Sequence, residues 1–190
     1  MFGISFKKPT AEEQLIQRVC NGDATAAEQL YNQNVRYLSA VCSRYIGFDE
    51  DVKDVLQEAF LKIFASIGDF EYRGEGSLRG WMVRITVNET LKFLRARNRL
   101  ETVDIDDANI DIADSDIKSE DIPTEVLHRF ISELPDGYRT VFNLYVVEDM
   151  SHKDISSVLG IKESTSASQL HKAKAMLARR IKQYRITNSI

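Results

Sequence analysis

Residues 151–177 read SHKDISSVLGIKESTSASQLHKAKAML, and their spacing decides the kind of fold. Ser151 through Asp154 is a helix-start signal, Ile155, Val158 and Leu159 supply a short apolar stripe, and Gly160 interrupts it. A second, longer helix is expected from about Glu163 to Tyr184. With successive residues about 100° apart, Ser166, Leu170, Ala173 and Leu177 fall on one core-facing stripe, while Ala167, Ser168, His171, Lys172 and Ala175 face the other way. That outward face is small, polar and basic, which suits a DNA major groove about 12 Å wide. A short helix, a glycine-containing turn and a longer helix form a helix-turn-helix pattern.

Two helices precede this pattern. One carries Val126, Leu127, Phe130, Ile131 and Leu134, and the other follows Pro135-Asp-Gly137 with Val141, Phe142, Leu144 and Tyr145. Further upstream, residues 100–122 (LETVDIDDANIDIADSDIKSEDI) hold no helical period and read as an exposed linker. The formal charge balance is +1 over residues 1–99, −8 over 100–122 and +3 over 123–190, so one short segment sets the overall −4. Both flanks are neutral to basic, and either could approach phosphate.

The N-terminal part is helical by the same reasoning. Thr10-Ala-Glu-Glu13 is a capping box, and Asp23 caps a longer helix with Leu30, Tyr31, Val35, Leu38, Val41, Cys42 and Tyr45, expected to reach Gly47. Asp49 starts a third, with a continuous stripe from Val52 to Ile67. Ser77 starts a fourth, which carries Leu78, Trp81, Met82, Ile85 and Leu91 and ends in Lys92, Arg95, Arg97 and Arg99. The fold class expected is all-α: two small helical domains, 1–99 and 123–190, joined by the acidic flexible linker 100–122, the C-terminal domain containing the helix-turn-helix.

Neither a secretory signal nor an apolar run of membrane-spanning length is present, so a cytoplasmic protein without membrane insertion is expected. Cys20 and Cys42 have no CxxC spacing, and reduced, partly buried thiols are expected. The acids Asp49, Glu50, Asp51, Asp54 and Glu58 could suggest metal or acid–base chemistry, but both uses want a histidine or a second converging carboxylate helix. Acids favoured by a helix N-terminus explain them better, with Gln57 and Glu58 left for a partner. No cofactor, metal or catalytic residue is expected. The loop and helix around Tyr72, Arg73, Gly74, Gly76, Trp81, Arg84 and Asn88 interleave aromatics that can stack on bases with arginines that can hold phosphate, as single-strand binding requires.

Asp51-Val-Lys-Asp54-Val-Leu-Gln57-Glu58-Ala-Phe60 resembles the polymerase-binding helix of bacterial sigma factors, and Gly80-Trp81-Met-Val-Arg84-Ile85-Thr-Val-Asn88 resembles their promoter-melting helix. The run from Leu134-Pro135 through Ser151-His-Lys-Asp154-Ile155 to Leu170-His171-Lys172-Ala173-Lys174 resembles their upstream-element domain. The chain is thus similar to the two-domain extracytoplasmic-function (ECF) sigma factors. The resemblance implies a non-enzymatic initiation factor whose partners are core RNA polymerase and promoter DNA, with an anti-sigma protein as a further candidate, and which is monomeric when free.

By the same resemblance, Asp51, Asp54, Gln57 and Glu58 dock on polymerase. Tyr72, Arg73, Trp81, Arg84, Asn88, Lys92 and Arg95 meet the downstream element, and Thr165, Ser168, His171 and Lys172 read the upstream one. Fully extended, the linker reaches roughly 70 Å, comparable with ~20 base pairs. Gly80 stands where the family often has threonine, and Ser166, Ala167 and Gln169 replace a more usual valine and basic residues, so the recognition helix is less basic than expected. A free-standing dimeric operator-binding regulator would explain the C-terminal half alone and leave the 51–88 region without a task. A helical carboxylate metalloenzyme would need a Glu-x-x-His motif on each of two helices, and the chain holds only one, Glu125-Val-Leu-His128.

Overall fold

The computed structural model describes residues 9–97 and 121–188. Among them the secondary structure is helical throughout: α1 (Ala11–Cys20), α2 (Ala24–Ser43), α3 (Asp49–Ser66), α4 (Ser77–Ala96), α5 (Thr124–Ser132), α6 (Asp136–Val146), α7 (His152–Leu159) and α8 (Glu163–Asn188). A 3-10 turn, Ile67–Asp69, extends α3. The all-α expectation holds. The described residues group into two compact units, one up to Ser43 together with Phe48–Thr90, the other Arg44–Gly47 together with residues from Leu91 onward. Residues 100–120 of the expected linker lie outside the described residues. Its last two, Asp121 and Ile122, belong to the second unit, where Ile122 is buried.

Local chemistry starts the helices of the first unit where the sequence suggests. The Thr10 hydroxyl accepts from the Glu13 amide and the Glu13 carboxylate accepts from the Thr10 amide, closing the capping box. Asp23 caps α2 by accepting from the Thr25 and Ala26 amides at 2.9 and 3.1 Å. α2 ends at Ser43, short of Gly47; in its last turn the Ser43 hydroxyl donates to the Ser39 carbonyl.

Burial of one face of each helix holds the unit together. α2 packs on α3, and Leu30, Leu38 and Val41 of the one and Val52, Val55, Ala59 and Ile63 of the other are all nearly excluded from water. Tyr31 and Phe60 rings pack at 4.6 Å. Truncating side chains of this kind in a core generally costs ~2–5 kcal/mol. Thr86 and Thr90 of α4 are fully buried, and their hydroxyls donate to carbonyls one turn back, Met82 and Thr86, at 2.9 and 2.8 Å. The Thr90 hydroxyl also lies 3.6 Å from the Cys42 sulfur, and burial pushes that thiol up to about 11. Cys20 is exposed, so the two thiols have opposite environments.

In the second unit, Ile122, Phe130, Leu134, Tyr138, Ala173, Leu177 and Ile181 form the central cluster. α8 runs one turn beyond the expected Tyr184, because Ile181 is in that cluster, Tyr184 packs on Phe130 at 6.1 Å, and Arg185 donates twice to Asp121 at 2.7 and 2.6 Å. The turn between α7 and α8 depends on Gly160, whose φ of 69° is left-handed; its amide donates to the Ser156 carbonyl at 2.9 Å. Ser151 caps α7 by accepting from the Asp154 amide. The helix-turn-helix follows from these two signals and from the buried Ile155, Leu159 and Leu170.

Candidate nucleic-acid interface

On α8 the stripe read from the sequence is the buried one, Ser166 and Ala173 at 0% exposure with Leu170 and Leu177 close behind. Ser168 and His171 are exposed on the far side, as expected, and Thr165 is half-buried beside them. Two residues depart from the expected face. Ala175, expected outside, is buried. Lys172 is half-buried, its ammonium 6.0 Å from the centre of the Tyr138 ring. Tyr138 of α6 flanks Lys172 at one edge of the face and the buried Ala175 ends it two turns past Ser168, leaving an outer surface centred on Ser168 and His171 that is smaller than the helical wheel implies.

Arg84, Asn88, Lys92 and Arg95 on α4 are all exposed, and their spacing of four, four and three puts them in one stripe of that helix. Trp81 is half-buried and packs against Phe70 at 5.0 Å, so it serves the packing of the loop as well as facing outward. The Arg73 guanidinium donates to Glu71 at 2.9 Å while remaining exposed, and its amide donates to the Ser77 hydroxyl. Asn88 lines a shallow cleft of about 390 Å³ between α3 and α4 with Lys62, Ser66, Ile85 and Glu89, where the Lys62 ammonium pairs with the Glu89 carboxylate.

Tyr72 is half-buried, and its hydroxyl accepts from the Thr10 hydroxyl at 3.2 Å. The side chain that caps α1 therefore also tethers the loop before α4. In the sequence Thr10 shows only its capping role. The two residues are 62 apart in sequence, and no local pattern announces such a contact.

On α3, Asp54, Gln57 and Glu58 are exposed. Asp51 is not: at 7% exposure it faces inward and cannot belong to the outer surface expected of it. It lies one position from Val52 at the start of the buried stripe, so the helical period that brings Val52 and Val55 inside takes Asp51 with them. Gln57 also borders an open apolar groove of about 670 Å³ between α2 and α3, lined by Tyr31, Val35, Phe60, Leu61 and Phe64. Leu61 is 57% exposed and Tyr31 42%, so apolar surface continues from the groove to the outside of the two helices.

Among the described residues no helix is long and apolar enough to cross a membrane. No group of three or more His, Cys, Asp or Glu placed to hold a metal ion occurs among them either.

Comparison with known proteins supplies the context for these surfaces. The model for sigma-70 region 2 matches residues 30–100, which contain α3 and α4, and that for sigma-70 region 4 matches 124–177, which contain the helix-turn-helix. The RNA polymerase sigma-H factor of Pseudomonas aeruginosa is 27% identical over 86% of this chain and 90% of its own length. ECF RNA polymerase sigma-E factors of Haemophilus influenzae and Escherichia coli are 28% and 25% identical, over 90% of this chain and 95% and 94% of theirs. A solved structure of CnrH in complex with the cytosolic domain of CnrY covers 90% of this chain and 96% of that one, with 23% identity and a TM-score of 0.45. With both regions present in order on one chain, and with relatives that match it along nearly its whole length, the chain belongs to the ECF sigma factors of the sigma-70 family.

Proposed function

We propose that this sigma factor divides its work among three surfaces. It directs promoter-specific transcription initiation by RNA polymerase. Asp54, Gln57 and Glu58, with the apolar groove beside them, dock on core polymerase, and Asp51 acts from beneath by shaping the start of α3. Tyr72, Trp81, Arg84 and Asn88 hold bases of the opened downstream element, while Arg73, Lys92 and Arg95 neutralise phosphate. Thr165, Ser168 and His171 read the upstream element as duplex, and Lys172 adds positive charge at its rim. The protein does this without catalysis of its own, in the cytoplasm, as a monomer when free. Promoter DNA and core polymerase are its partners, and an anti-sigma protein is a third candidate.

The observation that carries this reading is the exposed acid–amide face of α3 beside an apolar groove. An exposed stripe of hydrocarbon rimmed by charge suits a protein partner better than DNA, whose phosphates would repel Asp54 and Glu58. The dimeric-regulator alternative gives this face no role. Reversing its charge in an Asp54→Arg, Glu58→Arg double variant should abolish co-purification with core polymerase while circular dichroism stays helical, because both side chains are exposed and exposed substitutions rarely disturb a fold. Retention of full polymerase binding by the folded double variant would remove the docking assignment.

A further inference from the structure

The apolar stripe of α8 has a defect at its N-terminal end. Where a hydrocarbon side chain would fill the space between α7 and α8, the chain places Ser166, and the residue is 0% exposed. Its hydroxyl lies 2.9 Å from Nδ1 of His152, the first residue of α7, one member donating and the other accepting according to the histidine tautomer. The other side of that imidazole is occupied too: the Tyr145 ring, at the end of α6, stacks on it with centroids 4.8 Å apart and planes 26° from parallel. Three helices of the C-terminal unit therefore meet at His152.

We propose that His152 is a positioning residue for upstream-element recognition, setting the roll of α8 about its own axis through Ser166. The inference rests on the reading of α8 as the recognition helix. Ser166 and Ser168 lie about 200° apart around the helix, and Ser166 and His171 about 140°, so drawing Ser166 inward aims the other two outward. Shape alone fixes this end of α8 poorly, since Ser166 is small and the next buried side chains, Gln169 and Leu170, lie about a turn away. With a side-chain radius of ~5–6 Å, a roll of about 20° displaces an outward group by ~2 Å. Hydrogen bonds to base edges tolerate much less than that. The buried hydroxyl resists such a roll because turning it away from His152 would strand it. His152 itself contacts no DNA in this scheme; it acts through Ser166.

The test uses holoenzyme assembled from full-length protein and core polymerase. Wild-type holoenzyme first selects upstream sequences from a randomised duplex pool, and gel shifts then compare the selected sequence with its single-base variants. His152→Phe keeps a ring on Tyr145 but removes Nδ1, and it should lower the ratio of selected to variant binding about tenfold, the size of one misaimed base contact. His152→Asn returns a hydrogen-bonding atom at the same branch position, and should recover discrimination to within about twofold of wild type. If His152→Phe fails to fold, Ser166→Ala removes the same bond from the other side and should give the same loss of discrimination. Uniform weakening on every sequence, or unchanged discrimination, overturns the role of His152 while leaving α8 as the reader. Failure of wild-type holoenzyme to select any upstream sequence would overturn the recognition-helix reading and the inference with it.

Discussion

Helices α3 and α8 both present candidate docking residues on an outer face, but they bury different chemistry on the inner one. The inner face of α3 is dominated by hydrocarbon: Val52, Val55, Leu56, Ala59, Phe60 and Ile63. That of α8 mixes Leu170, Leu177 and Ile181 with Ser166, Gln169 and two alanines. Hydrocarbon fixes a helix by volume, and the period of the sequence displays it directly. A stripe containing buried polar groups is fixed by hydrogen bonds whose partners sit on other helices, and these are invisible until the chain is folded. The residues that the sigma-factor resemblance implies on the outer face of α3 are therefore exposed with one exception, Asp51, whereas the outer face that spacing gives for α8 is too large, since it includes Lys172 and Ala175.

The largest effect that tests this contrast lies on α8. If the outer face is as narrow as the packing makes it, Ser168→Ala with His171→Ala should weaken duplex binding at the upstream element by at least ~10–100-fold, the effect of losing one base contact worth ~1–3 kcal/mol. Lys172→Ala, removing a charge already held against Tyr138, should cost less and cost it equally on all sequences, with a shallower salt dependence. Titrations on matched and mismatched duplexes at two salt concentrations separate the cases. A sequence-specific loss in Lys172→Ala equal to that of the double variant would mean the face is as wide as the helical wheel suggested.

A second prediction concerns the loop before α4, where the same tyrosine has a buried and an open aspect. Tyr72→Ala removes ring and hydroxyl together and should reduce permanganate reactivity of unpaired promoter thymines roughly tenfold, the scale of one lost stacking contact, while closed-complex gel shifts stay unchanged. Tyr72→Phe keeps the ring and loses only the hydroxyl that accepts from Thr10, so it should open promoters at a rate near wild type. Asn88→Ala, at an exposed position bordering the α3–α4 cleft, should behave like Tyr72→Ala. Normal opening by Tyr72→Ala would leave the loop a structural tether and nothing more.

These contrasts also explain how much was legible beforehand. Each helix was identified because caps and apolar periods are local: Thr10, Asp23, Ser151 and Gly160 act on amides or carbonyls within five residues of themselves. The stripe from Ser166 to Leu177 was placed correctly for the same reason. What escaped is non-local. The Thr10–Tyr72 hydrogen bond, the His152–Ser166 contact and the stacking of Tyr145 on His152 join residues on different elements, and serine, histidine and threonine are common enough on surfaces that none advertises a buried partner. The inward turn of Asp51 escaped for a different reason: acids in the first turn of a helix are favoured whichever way they face.

The smallest effect lies at the opposite end of α8, where a charged pair at the surface replaces the buried polar contact at its start. Arg185 donates to both carboxylate oxygens of Asp121, and these hydrogen bonds hold the Asp121 carboxyl below the ordinary carboxylate range. A carboxyl whose folded value is lowered stabilises the fold above its unfolded value, near 3.9, and that contribution disappears as pH falls through the folded value. Asp121→Asn should therefore lower the Tm of the C-terminal unit slightly at pH 7 and leave it equal to wild type in acid, below both values. Because the two side chains are about a third exposed, added salt should shrink the difference at pH 7 as well. The hydrogen bond at His152 should be indifferent to salt, since the Ser166 hydroxyl is excluded from water. Thermal melts of Asp121→Asn and Ser166→Ala in parallel, at low and high ionic strength, thus distinguish the two ends of one helix. A difference for Asp121→Asn that persists unchanged both in acid and in high salt would show that the residue contributes through packing beside Ile122 rather than through its charge.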